Sequence, residues 1–335
     1  MDKTEVISGS PYSQIAYETT QSPQWGDLKI LSGTANPELA NKVAAAIGIG
    51  LTEMEVTRFA DGEINVKIKE SMRGHDVFLV QPTCHPVNEN LIELFIILDA
   101  LRRASAARIT AVVPYYAYAR KEKKTQPREP ISAKLMANII TLAGAHRIIA
   151  LDLHTEAIEG FFDVPVDHLT AIKILAGHVK RLGLQNIVVV SPDVGGTRRA
   201  RRLANILEAP LAIVDKRRPA DDVMEVMHVV GDVEGQHAIV IDDMITTGMT
   251  VASVAKALLA NGALSVRVLA THPVMVNGAI ELLRSAPIEE IVVTDTIPLT
   301  EEQKKPPVTV LSVAPLIAEA IMRIHSNGSV SELFH

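Results

Sequence analysis

The chain has a single cysteine, Cys84, among 335 residues. No internal disulfide can form and no cysteine cluster can hold zinc, so a reducing cytoplasm suits it. No apolar run is long enough to span a bilayer, and the opening "MDKTEVISGSPYSQIAYETTQSPQWGD" lacks the basic region and apolar core of a signal peptide. An excess of positive charge is missing too. The net charge of -6 and pI near 6.0 argue against nucleic acid or an anionic membrane as the main partner, leaving room only for a local basic site. What is present is ordinary globular material, 47% hydrophobic and 21% charged, at a length that favours two domains.

Residues 1–27 are rich in Ser, Thr, Gln and Pro without a sustained period, which predicts a flexible or surface-draped extension. From "LKILSGT" onward short β-branched or Leu-rich runs alternate with Ala-rich amphipathic stretches. The runs "LKILSG", "DVFLVQP", "ITAVVPY", "RIIALDL", "NIVVVSPD", "LAIVDK", "AIVIDD", "VRVLATHP" and "IEEIVVTD" read as strands. Residues 37–46, 88–106, 132–143, 171–182 and 253–261 read as helices. Apolar strands that end in polar residues suit parallel sheets covered on both faces, with ligands outside the carboxyl ends. An α/β architecture with one sheet per half is therefore expected, the halves meeting at "GFFDVPVDHL", residues 160–169. The closing "APLIAEAIMRI" reads as an amphipathic helix returning to the first half.

The stretch "AIVIDDMITTGMT", residues 238–250, runs a buried strand into Asp242 and Asp243 and then into a turn of hydroxyls and one glycine. Backbone N–H groups and hydroxyls converging before a helix favour phosphate. Without the lysine of GxxxxGK(S/T), the turn is not a nucleoside-triphosphate P-loop. Two ionised carboxylates behind a phosphate suit a phosphorylated sugar, whose vicinal hydroxyls donate to them. On these residues alone, a strand end with Asp as turn former and Thr as helix cap stands equally well.

"VIDDMITTGMT" resembles the phosphoribosyl-pyrophosphate motif of the type I phosphoribosyltransferase fold. Four further stretches, "RFADGEINVKI", "YYAYARKEKK" with "REPISAKL", "ALDLHTEAIEGFFDVPVDHL" and "DKRRPADDVMEVMHVVGDVEG", resemble the ribose-phosphate pyrophosphokinase family, and with "VVVSPDVGGTRRARRLA" the similarity runs from about residue 28 to the C-terminus. The resemblance implies two tandem phosphoribosyltransferase-like domains, each a mainly parallel sheet flanked by helices. Residues 28–167 would form the ATP side, 168–308 the ribose 5-phosphate side, and 309–335 a segment packing on the first domain. It implies diphosphoryl transfer from ATP to ribose 5-phosphate, with Mg2+ as cofactor. Phe59, Asp61, Gly62 and Glu63 would hold adenine across a subunit boundary, with Arg120 and Lys121 on the ATP side. His154 and Asp193 would sit with the metal. Lys216 and Arg218 would act from a catalytic loop. Arg218, Asp242, Asp243, Thr246, Thr247, Gly248, Met249 and Thr250 would hold ribose 5-phosphate. A homohexamer with phosphate and ADP as effectors is part of the same implication.

The residues themselves are compatible with these roles. Phe59 offers a face to a base, Mg2+ takes few protein ligands, and a mobile Lys/Arg loop can close on developing phosphoryl charge. Arg198, Arg199, Arg201 and Arg202 read as a surface face or a pairing row across subunits rather than a nucleic-acid site. The pattern departs from the family at Thr246 and Met249, where an aspartate and a second glycine are usual, and at Lys121, where a glutamine is common. Met249 puts a side chain where backbone approaches phosphate, which bears on sugar-phosphate affinity. Two rival functions remain at this point: a phosphoribosyltransferase that consumes the product, and a catalytically silent regulatory paralogue.

Overall fold

A computed structural model of the chain describes residues 25–217, 226–276 and 278–333. The first half runs β1 (Leu28–Ser32), α1 (Pro37–Ile47), β2 (Met54–Arg58), β3 (Ile64–Ile68), β4 (Asp76–Val80), α2 (Val87–Arg103), β5 (Arg108–Val113), α3 (Ser132–Ala143), β6 (Arg147–Leu151), a short 3-10 helix (Glu156–Phe161) and β7 (Val166–Leu169). The second runs α4 (Ile172–Arg181), β8 (Ile187–Ser191), α5 (Thr197–Leu207), β9 (Leu211–Arg217), β10 (Val226–Val230), β11 (His237–Ile245), α6 (Met249–Ala260), β12 (Ser265–Pro273), α7 (Ala279–Ser285), β13 (Glu290–Thr294), β14 (Val308–Leu311) and α8 (Ala314–His325).

One sheet has the order β1-β4-β5-β6-β7 and is parallel throughout. The other has the order β10-β9-β8-β11-β12-β13-β14, parallel except for β10 at its edge. Strands β2 and β3 form a separate antiparallel hairpin. The fully buried strands have the double-sided cover that their apolar sequences predict. In β1 and β4, Leu31, Val77 and Leu79 pack with α2 and α3, while Ile30, Phe78 and Val80 pack on the opposite face with α1 and α8. The period-2 alternation sends neighbours to opposite layers.

Local signals start and stop the helices. In α1 the Asn36 side chain accepts from the Leu39 N–H and Pro37 occupies the first turn, where its missing N–H costs nothing. Gly48 ends the helix at φ 88°, a left-handed cap that glycine takes without strain. In α8, Ile317 and Ile321 are fully buried, each worth about 1.5–3 kcal/mol over exposure. They seat α8 on the first half, and Arg108 adds a hydrogen bond of 3.0 Å to the Ile324 carbonyl. Among the described residues, no helix is long and apolar enough to cross a membrane.

The two sheets meet along a polar seam. Asp295, after β13, accepts from the Val313 N–H at 2.8 Å and pairs with Lys42 of α1 at 3.2 Å, while its carbonyl accepts from the Asn36 side chain at 2.9 Å. Asp152, after β6, accepts from Thr170 Oγ1 at 2.7 Å, the Ala171 N–H at 2.9 Å and Thr271 Oγ1 of β12 at 2.6 Å. His272 is buried, and burial pulls its pKa below the usual value. Its Nε2 faces the Leu151 and Asp152 carbonyls at 3.2 and 3.3 Å. Carbonyls only accept, so Nε2 carries the proton.

Within the stretch 160–169 the 3-10 helix ends and β7 forms, paired in parallel with β6 from Ile148↔Val166, and α4 begins at Ile172 just after it. Residues 1–24 lie outside the described residues. Trp25 is described, with the Arg108 guanidinium 5.2 Å over its ring.

Candidate active site

Chain order reverses direction between β8 and β11: β9 and β10 lie to one side, β12 to β14 to the other. A crevice opens at the carboxyl ends of strands at such a switch point. Pairing of β11 with β8 stops at Val240↔Val190, whereas pairing with β12 continues to Ile245↔Pro273. Asp242 and Asp243 therefore belong to the strand but sit where one neighbour has turned away. The loop after β8, carrying Asp193, lies on the other side of the switch point.

Asp243 is 4% exposed. Its Oδ2 lies 2.8 Å from His154 Nδ1, and its Oδ1 lies 3.5 Å from Arg199 Nη1. Asp242 Oδ1 accepts from Arg199 Nη1 at 3.0 Å and from the Asp243 N–H at 2.8 Å. Burial, and then the neighbouring Asp243 charge, push the Asp242 carboxyl up to about 7. Burial acts the same way on Asp243, but the His154 hydrogen bond and the Arg199 charge outweigh it and hold that carboxyl below the usual range. The Asp243 hydrogen bond in turn raises the His154 ring against its burial. Two carboxylates and two cations thus form one electrostatic unit joining the end of β6 to the middle of the second sheet.

Helix α6 begins at Met249, not at residue 253. Gly248 turns the chain at φ 77°, and its carbonyl accepts from the Ala252 N–H at 2.9 Å, closing the first helical turn. The hydroxyl-rich spelling of the turn disguised that start. A Cβ on Gly248 would lie 3.0 Å from Leu283 Cγ, so this position needs glycine for both backbone and space. Met249 occupies the first helical position, 61% exposed, where ordinary side chains fit. Thr246, Thr247, Gly248, Met249 and Thr250 bring the α6 N-terminus, whose first N–H groups have no intrahelical acceptor, next to the aspartates. Such an end favours an anion.

The other sequence-derived positions are spread around this centre. Phe59, Asp61, Gly62 and Glu63 form the turn of the β2–β3 hairpin, with the Phe59 N–H donating to the Glu63 carbonyl at 2.8 Å and Gly62 to the Phe59 carbonyl at 2.9 Å. Phe59 is 55% exposed, and among the described residues the hydrogen bonds of this turn stay within the hairpin. Arg120 is exposed. Lys121 pairs with Glu129 at 2.7 Å, and that lysine, followed by the Gln126 and Thr125 donors, draws the Glu129 carboxyl down to about 2. Asp193 Oδ1 accepts from the Gly196 N–H at 2.8 Å. Lys216 lies in β9 opposite Met227, and Arg218 lies outside the described residues.

Arg199 is the site residue that the sequence reading missed. It belongs to the first turn of α5, and its guanidinium is on the aspartates rather than on an outer face. The signal was weak: in "TRRARRLANIL" the buried positions are Ala200, Leu203 and Ala204, so Arg199 flanks the buried stripe. Arg198 follows the surface reading, 77% exposed and paired with Glu156.

Among the described residues, no three His, Cys, Asp or Glu side chains converge on a metal position. His154 spends Nδ1 on Asp243, and its Nε2 takes no hydrogen bond from the described residues. One open ring nitrogen beside carboxylates fits a divalent ion that keeps most of its waters and arrives with phosphate oxygens.

A family model described as the N-terminal domain of ribose phosphate pyrophosphokinase matches residues 28–144, and one described as the phosphoribosyl synthetase-associated domain matches residues 220–335. A ribose-phosphate pyrophosphokinase from Caldanaerobacter subterraneus is 54% identical over 309 residues, covering 92% of this chain and 98% of the relative. The chain belongs to the ribose-phosphate pyrophosphokinase family. The Bacillus subtilis ribose-phosphate pyrophosphokinase is 52% identical over 315 residues, covering 93% of this chain and 99% of its own. The solved phosphoribosylpyrophosphate synthetase of Mycobacterium smegmatis superposes with a TM-score of 0.86 at 44% identity, covering 90% of this chain and all of that one. The two-sheet α/β architecture is therefore that of the family, and family membership favours synthesis of phosphoribosyl pyrophosphate over its consumption or a silent regulatory role.

Proposed function

We propose that the crevice between β8 and β11 carries out the family's diphosphoryl transfer. The 1-hydroxyl oxygen of ribose 5-phosphate bonds to Pβ of ATP, the bond from Pβ to the oxygen bridging to Pα breaks, AMP leaves with that oxygen, and the hydroxyl proton passes to solvent water. The observation that carries this reading is the 2.8 Å contact of His154 with Asp243. It brings a residue of the first sheet's end, on the nucleotide side by family resemblance, against the acid pair of the second. Asp242 and Asp243 accept from the ribose hydroxyls, and the α6 N-terminus with Thr246, Thr247, Gly248, Met249 and Thr250 takes the 5-phosphate.

The family's need for a divalent metal fits the open His154 nitrogen, and Mg2+ with His154 and Asp193 is our proposed assignment. When bound, the ion offsets triphosphate charge. Lys216 and Arg218 neutralise charge at Pβ, while Phe59, Asp61, Gly62, Glu63, Arg120 and Lys121 hold ATP. The exposed Phe59 hairpin is open to a neighbouring copy, which supports adenine binding across a subunit boundary. A homohexamer, phosphate and ADP as effectors, and a cytoplasmic location complete the reading. The division into residues 28–167, 168–308 and 309–335 is part of the same reading, with β7 of the first sheet running on to Leu169 and β14 of the second to Leu311.

Purified chain given only ATP, ribose 5-phosphate and Mg2+ is expected to release AMP and form phosphoribosyl pyrophosphate; no AMP would overturn the reaction. Lys216→Ala is expected to lower kcat strongly with modest change in KM. Wild-type AMP release by that variant would remove Lys216 from catalysis.

A further inference from the structure

We infer that Arg199 is a positioning residue for sugar binding: its guanidinium clamps Asp242 and Asp243 so that Asp242 Oδ2 is the oxygen left to accept a ribose hydroxyl. This rests on the reading of the two aspartates as diol acceptors.

The two carboxyls interact with one another through their side chains, and their contacts with other groups fall on three of the four oxygens. Asp243 Oδ2 is taken by His154 and Asp243 Oδ1 faces Arg199, while Asp242 Oδ1 receives both Arg199 Nη1 and the Asp243 N–H. Among the described residues, no N–H or hydroxyl donates to Asp242 Oδ2; both the Arg199 and the Asp243 N–H bonds fall on Oδ1. A carboxyl oxygen without a donor from the described residues, beside a helix N-terminus, is open to a hydroxyl of a phosphorylated sugar.

The clamp is needed because two adjacent, mostly buried carboxylates repel one another. His154 reaches only Asp243. Among the described residues, the only other N–H donor to the Asp242 carboxyl is the Asp243 N–H of β11 itself. The guanidinium suits the task because one nitrogen, Nη1, lies between the two carboxyls, 3.0 Å from Asp242 Oδ1 and 3.5 Å from Asp243 Oδ1, with a charge that is never lost. Its place is also fixed: Arg199 is in the first turn of α5, whose Ala200, Leu203 and Ala204 are buried against the sheet, and its side chain is only 19% exposed. The backbone of α5 therefore holds the clamp independently of any ligand.

The test uses the full chain and steady-state AMP release, with KM for each substrate and kcat measured separately for Arg199→Met, Arg199→Lys, Asp242→Asn and the double variant Arg199→Met/Asp242→Asn. Loss of a charged hydrogen bond at the acid predicts a rise of about tenfold or more in KM for ribose 5-phosphate in Arg199→Met. KM for ATP should stay within about twofold, since the binding lost is confined to the sugar. Arg199→Lys should recover part of the loss, and the double variant should be little worse than Asp242→Asn alone, because both act on one oxygen. A larger rise in KM for ATP than for ribose 5-phosphate would make Arg199 a direct phosphate contact and overturn the inference. Additive losses in the double variant would overturn it as well. If Asp242→Asn raises the sugar KM and Arg199→Met does not, the clamp fails while the diol reading stands; if Asp242→Asn leaves it unchanged, the diol reading itself fails. Should Arg199→Met not fold, Arg199→Lys carries the test, and an unchanged sugar KM there would sink the clamp.

Discussion

In both halves of the molecule an apolar strand runs into acid: β6 into Asp152, and β11 through Asp242 and Asp243. Asp152 gives its carboxylate to Thr170, Ala171 and Thr271, all of them protein donors. Its backbone sits at φ 34°, a left-handed conformation that Asp and Asn tolerate better than most residues. Asp242 and Asp243 instead face Arg199 and His154 and keep one oxygen open. Asp76 belongs with Asp152: fully buried, it is bound by Arg108 at 2.8 Å through Nε and by His325 of α8 at 2.8 Å. Acids at strand ends are thus of two kinds here, those whose oxygens are all consumed in joining elements and those that keep an oxygen for a ligand, and the oxygen without a donor from the described residues separates them.

The sharpest test of that division is Asp243→Asn. It removes the negative partner of His154 and Arg199, and activity in the AMP assay should fall by about a hundredfold or more with the fold intact by circular dichroism. Asp152→Asn should do the reverse. Asn keeps the backbone conformation but has one acceptor oxygen fewer, so stability in urea should fall by about 1–3 kcal/mol with little change in KM for ribose 5-phosphate. If Asp152→Asn raises that KM as far as an Asp242 or Asp243 substitution, the division collapses.

Gly248→Ala lies between the two classes. Its positive φ and the Leu283 contact predict a loss of about 1–3 kcal/mol, read by urea unfolding, and a weaker sugar phosphate interaction as the α6 N-terminus shifts.

Asp76 adds a pH signature. Burial raises its pKa, but Arg108 and His325 outweigh burial and leave the folded value below the usual one. Its contribution is therefore fully present above the unfolded value of about 3.9 and is lost as pH falls through the folded value. Asp76→Asn should flatten the acid limb of Tm against pH below that point, and an unchanged limb would remove Asp76 from the joining class. The smallest effect is expected from Met249→Gly: at an exposed first helical position, KM for ribose 5-phosphate should change by less than about twofold. A larger gain in affinity would show that Met249 intrudes on the phosphate.

The elements legible in the sequence were those with long, uninterrupted periodicity. Residues 132–143 coincide with α3, and α1, α2 and α4 lie within a few residues of their expected bounds. Strands β2, β3, β7, β10 and β14 carry no such signal. Each is short, and in β7 the sequence "VDHL" alternates a buried Asp167, paired with Arg147 at 2.5 Å, with half-buried neighbours. A polar residue whose partner is distant in sequence hides a strand from any local period.

The order and spelling of the motifs were enough to establish the family and the chemistry, because phosphate turns and paired acids need particular residues at short spacing. Tertiary structure alone decided which acids serve a ligand, that Arg199 rather than its neighbours turns to them, and that His154 meets Asp243 across 89 positions of chain. Charges interact through space over a few ångströms, and only the packed sheets determine which of them come that close.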